Sequence, residues 1–168
     1  MKKLIVMLAT VVSSLTAWGQ TKDVVGIAAG SPDHTTLVAA IKAADLVVTL
    51  QGKGPFTVFA PTNAAFDKLP KGTVENLLKP ENKAMLSKIL TYHVVSGNLD
   101  SKAVVAAIKK GNGKVVLTTV SGGKLTASLD KDKVKLTDEL GHTAYVTTAD
   151  LKGSNGVVHV IDSVIMPK

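Results

Sequence analysis

Four histidines, at positions 34, 93, 142 and 159, are the side chains of this sequence best suited to move a proton or hold a metal. They are scattered, and no two fall at ligand spacing on one element, which argues against a metal centre. His159 sits in Val157-Val158-His159-Val160-Ile161-Asp162-Ser163, so a histidine, an aspartate and a serine lie close together in sequence. Read as a strand, the stretch puts alternate residues on one face. His159 then shares a face with Val157 and Ile161. Asp162 points the other way, and Ser163 lies two places further along the His159 face. A Ser-His-Asp triad cannot be assembled from these three, and no nucleophile elbow accompanies them. The expectation for His159 is a buried histidine with its ring nitrogens satisfied.

Other chemistry is weakly represented. Asp130-x-Asp132 opens like a calcium loop, but Lys135 stands where the loop needs Gly, and Gly141 where it needs Glu. Gly111-Asn112-Gly113 and Gly122-Gly123 precede strand patterns, whereas a phosphate-binding loop precedes a helix. The chain has no cysteine, hence no thiol nucleophile, thiolate metal site, disulfide framework or lipid-attachment cysteine. No cofactor is indicated. An enzyme is not expected, for want of a nucleophile–base pair. The sharpest candidate is the pair Tyr92-His93. Each has an apolar body with a polar tip, and Leu90, Val94 and Val95 surround them in sequence. They read as residues that hold the strand-like run Thr91–Val95 against the helices.

The elements that would position them centre on Gly54–Phe66, GPFTVFAPTNAAF, which holds all three phenylalanines. Phe56–Ala60 is apolar on both faces, the pattern of an inner strand: Phe56, Val58 and Ala60 on one face, Thr57 and Phe59 on the other. Pro61 ends the ladder, Thr62 caps a helix from Asn63, and the aromatics turn inward. Before this come a short helix, Asp23–Ala29, a break at Gly30-Ser31-Pro32, and a helix with Leu37, Ala40, Ile41 and Ala44 on its apolar face. Leu46–Leu50 continues that helix. After it, Thr73–Leu78 is helical, and a helix from Pro80 to about Leu90 buries Met85, Leu86, Ile89 and Leu90. Ser101–Ile108 forms a further helix, capped by Asp100 or Ser101. The second half is strand-rich: a hairpin Lys114–Val120 and Lys124–Leu129, then Val134–Thr137, Ala144–Thr148 and Val157–Met166. Helices followed by strands predict an α+β domain.

All 20 basic residues are lysine, and the formal charge is +7. Lysine lacks the planar fork that specific phosphate or guanine recognition favours. With few aromatics to stack on, nucleic acid is not an expected partner.

Two stretches resemble the conserved boxes of fasciclin I (FAS1) domains: GPFTVFAPTNAAF, Gly54–Phe66, and NGVVHVIDSVIMP, Asn155–Pro167. Tyr92-His93 takes the place of the tyrosine–histidine motif between them. The resemblance covers Gln20–Lys168 as one domain. It implies a FAS1 fold, a wedge of two packed β-sheets with a helical layer. It further implies a secreted, non-catalytic interaction module that adheres to a protein or polysaccharide at a cell surface, matrix or envelope. In animal relatives the tyrosine–histidine motif is implicated in receptor binding, which makes Tyr92 and His93 candidate binding residues. Some relatives bind lipophilic pigments, so a carrier of a small apolar ligand is the alternative.

The first 19 residues read as a secretory signal peptide: Lys2-Lys3, an apolar run Leu4–Val12, and the small-x-small site Ala17-Trp18-Gly19. The run is short for a membrane span, and none is expected in the mature chain. The location expected is periplasmic or extracellular. Mass spectrometry of exported protein should find Gln20 at the N-terminus, with Trp18, Lys2 and Lys3 removed; a mass that retains Met1–Gly19 would refute cleavage.

Overall fold

The structure, a computed structural model, describes residues 21–168; the expected leader, Met1–Gly19, and its cleavage point lie outside the described residues. In chain order the elements are α1 (Val24–Ala29), α2 (Thr35–Ala43), α3 (Val47–Leu50), β1 (Phe56–Pro61), α4 (Asn63–Asp67), α5 (Thr73–Leu77), α6 (Lys83–Tyr92), β2 (Val94–Ser96), α7 (Ser101–Lys110), β3 (Lys114–Thr118), β4 (Lys124–Asp130), β5 (Lys133–Thr137), β6 (Thr143–Gly153) and β7 (Gly156–Ile161). Short 3₁₀ turns, Pro32–His34 and Pro80–Asn82, lead into α2 and α6. The helix starts follow from local chemistry. Asp23, Ser31, Thr62 and Asp100 each turn a side-chain oxygen onto a free backbone N–H of the turn they open.

The seven strands run β2-β1-β7-β6-β5-β4-β3. Strand β1 pairs antiparallel with β2 and parallel with β7. The two expected sheets are continuous through β6, whose N-terminal part pairs with β5 and whose remainder pairs with β7. Two register shifts, between Val146 and Thr148 and between Thr148 and Leu151, bend β6 from one sheet into the other. The far edges then meet at a Val95–Thr119 bridge, and the Val120 N–H donates to the Val94 carbonyl at 2.7 Å. The result is an α+β wedge that is nearly a barrel.

Two cores lie on either side of β1. Val58 and Ala60 face the helical layer, where Leu37, Ile41, Phe66, Leu86 and Leu90 pack. Phe59 faces the other way, into the space filled by Val104 and Ile108 of α7, Leu125, Leu136 and Ile161. The phenylalanines therefore form no single cluster: strand alternation sends Phe59 into the sheet-side core and half-buried Phe56 to the helical side, where Phe66 of α4 also packs.

Several boundaries differ from the sequence reading. Thr91–Val95 is not one strand, because α6 runs to Tyr92 and β2 starts at Val94. The helical stripe through Leu86, Ile89 and Leu90 carries on to Tyr92, and Thr91 Oγ1 donates to the Ser87 carbonyl at 2.7 Å, which suits a β-branched residue to a helix. Met85 leaves that stripe and is 59% exposed. Leu46–Leu50 does not extend α2. Asp45 takes a left-handed conformation, φ 56°, and the Leu46 and Asp45 N–H groups close a Schellman motif on Ile41 and Lys42. Strand β7 stops at Ile161, and β6 is longer than the alternation suggests.

Two asparagines fix the helical layer, Asn63 by joining α4 to the start of α2 and Asn155 by joining the β6–β7 turn to α1 and α3. Asn63 Oδ1 accepts from the Thr36 N–H, and its Nδ2 donates to the Pro32 carbonyl. Asn155 Oδ1 accepts from the Val24 N–H at 3.0 Å, while its Nδ2 donates to the Leu50 and Gly52 carbonyls at 2.7 and 3.1 Å. Asn155→Ala deletes three bonds and strands their backbone partners in partly buried surroundings. Urea denaturation should show a loss of about 2 kcal/mol or more, whereas an unchanged midpoint would remove Asn155 from this role.

Candidate functional site

Tyr92 and His93 occupy the joint where α6 hands the chain to β2, and both are buried. The Tyr92 ring lies in the sheet-side core, and Gly123 passes so close that a Cβ there would sit 2.6 Å from the ring. Its hydroxyl donates to the Lys124 carbonyl at 2.7 Å and accepts from the Glu139 N–H at 3.3 Å. Burial pushes the phenol pKa up to about 12. His93 Nδ1 faces the Ile89 carbonyl at 2.9 Å and carries the proton, while Nε2 accepts from the Ile165 N–H at 3.2 Å. Burial holds its pKa down at about 4, outweighing the Ile89 carbonyl and the charge of Asp138. The His93 carbonyl also accepts from the Phe59 N–H of β1 at 2.8 Å. One residue thus binds helix, central strand and closing segment together.

The joint continues through Asp138, which sequence reading missed. This carboxylate accepts from the Leu140, His142 and Met166 backbone N–H groups at 2.9, 2.8 and 2.9 Å, and from His142 Nδ1 at 3.0 Å. The signal was present in Asp138-Glu139-Leu140-Gly141, an Asx-turn pattern with glycine at a positive φ. Its long-range partner, Met166, was not legible. The closing segment is therefore held by His93 at Ile165 and by Asp138 at Met166.

His159 is buried in β7 as expected, and its ring stacks on Phe59 with centroids 5.7 Å apart. Tertiary structure also brings together a serine, an aspartate and a histidine that are remote in sequence. Ser101 Oγ donates to Asp150 Oδ2 at 2.5 Å, the Ser101 N–H donates to Oδ1 at 2.7 Å, and the Asp150 N–H donates to His159 Nδ1 at 3.3 Å. His159 Nε2 donates to the Leu99 carbonyl at 2.7 Å. Both imidazole nitrogens face backbone groups, and the serine O–H donates to the carboxylate. The histidine cannot serve this serine as a base. What the arrangement does is latch the start of α7 to β6; the Ser101 hydroxyl holds the Asp150 carboxyl below its usual pKa. Asp150 is in a left-handed conformation, φ 61°, which the latch stabilises. The apolar void beside it, lined by Phe59, Val104, Val134, Val146 and His159, measures about 20 Å³.

Asp162 and Ser163 stay apart from His159. Asp162 Oδ1 accepts from the Tyr145 N–H, and Lys68 Nζ reaches the Asp162 carbonyl and Ser163 Oγ. Asp130 accepts from the Tyr145 hydroxyl at 2.8 Å. His34 is buried with Nδ1 on Ser31 Oγ at 2.9 Å, and burial lowers its pKa. Among the described residues no three His, Asp or Glu side chains gather at metal-binding geometry.

The sequence pattern of the Fasciclin domain family matches residues 32–167. Protein sll1483 of Synechocystis is 51% identical over 144 residues, spanning 86% of this chain and 73% of that protein. The cell surface glycolipoprotein MPB83 of Mycobacterium bovis is 36% identical over 155 residues, spanning 89% of this chain and 63% of that protein. A solved FAS1 domain pair from the insect cell adhesion molecule fasciclin I superposes with a TM-score of 0.75 at 18% identity, over 86% of this chain and 51% of that one. At that identity the superposition speaks for the fold.

His93 makes stability depend on pH. Its pKa is about 4 in the folded protein against 6.5 ordinarily, so the unfolded chain takes up the proton first as pH falls. Stability is full above about pH 6.5 and is lost progressively down to about pH 4, by about 3 kcal/mol, with His34 adding in the same direction. Urea midpoints measured across this window should fall accordingly. His93→Gln should be less stable at pH 7.5 and show a shallower slope; an unchanged slope would remove His93 from the account.

Proposed function

This chain belongs to the fasciclin domain family, and we propose on that premise that it is a secreted binding module that adheres, without catalysis, to a component of a cell surface, matrix or envelope. In this reading Met1–Gly19 directs export and is removed, and Gln20–Lys168 works as a single domain. Support comes from a relative that is, by name, a cell surface glycolipoprotein. The observation that carries the reading is the burial of Tyr92 and His93, with every polar side-chain atom of the pair engaged inside the protein. Their part in binding is indirect: they hold the fold that carries the binding surface, and a partner does not meet the rings. Among the described residues no helix is long and apolar enough to cross a membrane.

The alternative, a carrier for a small apolar ligand, would need the void beside Phe59 to enlarge many-fold, because about 20 Å³ holds one water at most. Tyr92→Phe separates the two roles of the joint. The loss of the hydroxyl contacts should lower stability by about 1–2 kcal/mol in urea. Capture of the variant by native envelope material at 25 °C should nonetheless match the unsubstituted protein. Lost capture with an unchanged melting temperature would make Tyr92 a direct contact. A visible absorption band in protein purified from its source would favour the carrier.

A further inference from the structure

A groove of about 660 Å³ opens at the end of the sheet where β1 and β7 begin. Its walls are three segments: 51–55 before β1, 97–100 before α7, and 152–155 at the end of β6 and the turn into β7. Each wall is tied from behind by a buried or half-buried side chain. Thr57 Oγ1 donates to the Gly97 carbonyl and accepts from the Leu99 N–H, and His159 Nε2 donates to the Leu99 carbonyl. Asn155 holds the first loop to the third through the Gly52 carbonyl, and the Gly97 N–H donates to the Pro55 carbonyl at 2.9 Å. The groove is therefore preorganised, so a ligand would meet little ordering cost there.

The side chains facing into it are not spent on the fold. Gln51, Lys53, Asn98, Lys152 and Ser154 are exposed, and among the described residues none has a side-chain hydrogen bond or ion pair to protein. The carboxylate in the lining, Asp100, caps α7 through the Ala103 N–H, and Asp150 behind Lys152 is taken by Ser101. Two ammonium groups, two amides and a hydroxyl thus face one space. The apolar side chains in the lining are those of Pro55 and Val157, so neither a peptide anchor nor a base has a platform. That combination suits a chain rich in hydroxyls that carries spaced anionic groups.

We propose that this groove binds a segment of an acidic polysaccharide, with Lys53 and Lys152 on its carboxylates or sulfates and Gln51, Asn98 and Ser154 on its hydroxyls. The proposal rests on the reading of the protein as a binding module and names where, and to what, it binds. Because both lysines are exposed, affinity falls as ionic strength rises.

The test uses residues 20–168 and titrates galacturonate hexamer at low salt by calorimetry, with a neutral dextran oligosaccharide and a polyglutamate peptide as comparators. The hexamer should bind, the dextran should not, and the peptide should bind more weakly. Lys53→Gln/Lys152→Gln should weaken hexamer binding about ten-fold, the size expected for two exposed charge contacts. Lys42→Gln/Lys71→Gln, on the helical layer, should change it less than two-fold. Equal losses in the two doubles would reduce the effect to diffuse charge and overturn the proposal. So would tighter binding of the peptide, or no binding of the hexamer. Capture by native envelope material, run alongside, separates the two levels. If the groove variant is still captured, the groove proposal fails while the binding-module reading stands; if even the unsubstituted protein is not captured, that reading fails too.

Discussion

The constraint on which the rest depends is the burial of β1 on both faces. A strand covered on both sides must satisfy its backbone within the sheet, because water reaches neither face. It does so by pairing with β2 on one edge and with β7 over its whole length on the other. The parallel pairing brings two stretches about a hundred residues apart into register, Phe56 opposite Gly156 and Ile161 opposite Pro61. The backbones approach so closely there that a Cβ on Gly156 would lie 2.0 Å from the Phe56 carbonyl oxygen. Side-chain alternation along β1 then divides the interior: one set of residues anchors the helical layer, the other anchors α7 and the bent sheet.

Most polar groups buried in the molecule are used as ties; among the described residues His34 Nε2 is buried without a hydrogen-bond partner. His93 joins α6, β1 and the closing segment; Asp138 holds that segment a residue further on; Asp150 fixes the start of α7; Asn63 and Asn155 fix the helical layer. A buried neutral histidine with a donor and an acceptor each met by backbone is a stable arrangement at neutral pH and a liability in acid. The same economy bears on chemistry. Ser101, Asp150 and His159 meet in space, yet each is committed to holding an element, which leaves no base free to activate the hydroxyl.

In the proposed reading, binding belongs to the exterior that these ties keep still. The loops at the start of β1 and β7 are pinned from behind while their outward side chains remain available. Rigid walls with unspent polar groups are what a binding module needs, since little conformational freedom is lost when a partner arrives.

What the sequence by itself determined is what short-range physics controls. The corner at Pro61-Thr62, the start of α7 at Asp100-Ser101, the alternation of β1 and the absence of thiol chemistry depend on neighbours within a few residues. Tyr92 and His93 were legible as half-apolar residues holding a strand-like run against the helices, and their family resemblance marked the place; that a helix ends there was not legible. Their partners were not, because Lys124, Glu139 and Ile165 lie 32 to 72 residues away. The helix end at Tyr92, the bend in β6, the separation of the phenylalanines and the meeting of Ser101 with Asp150 were decided only by tertiary structure. In each, the deciding contact is set by strand register and sheet curvature, which no local window of residues contains.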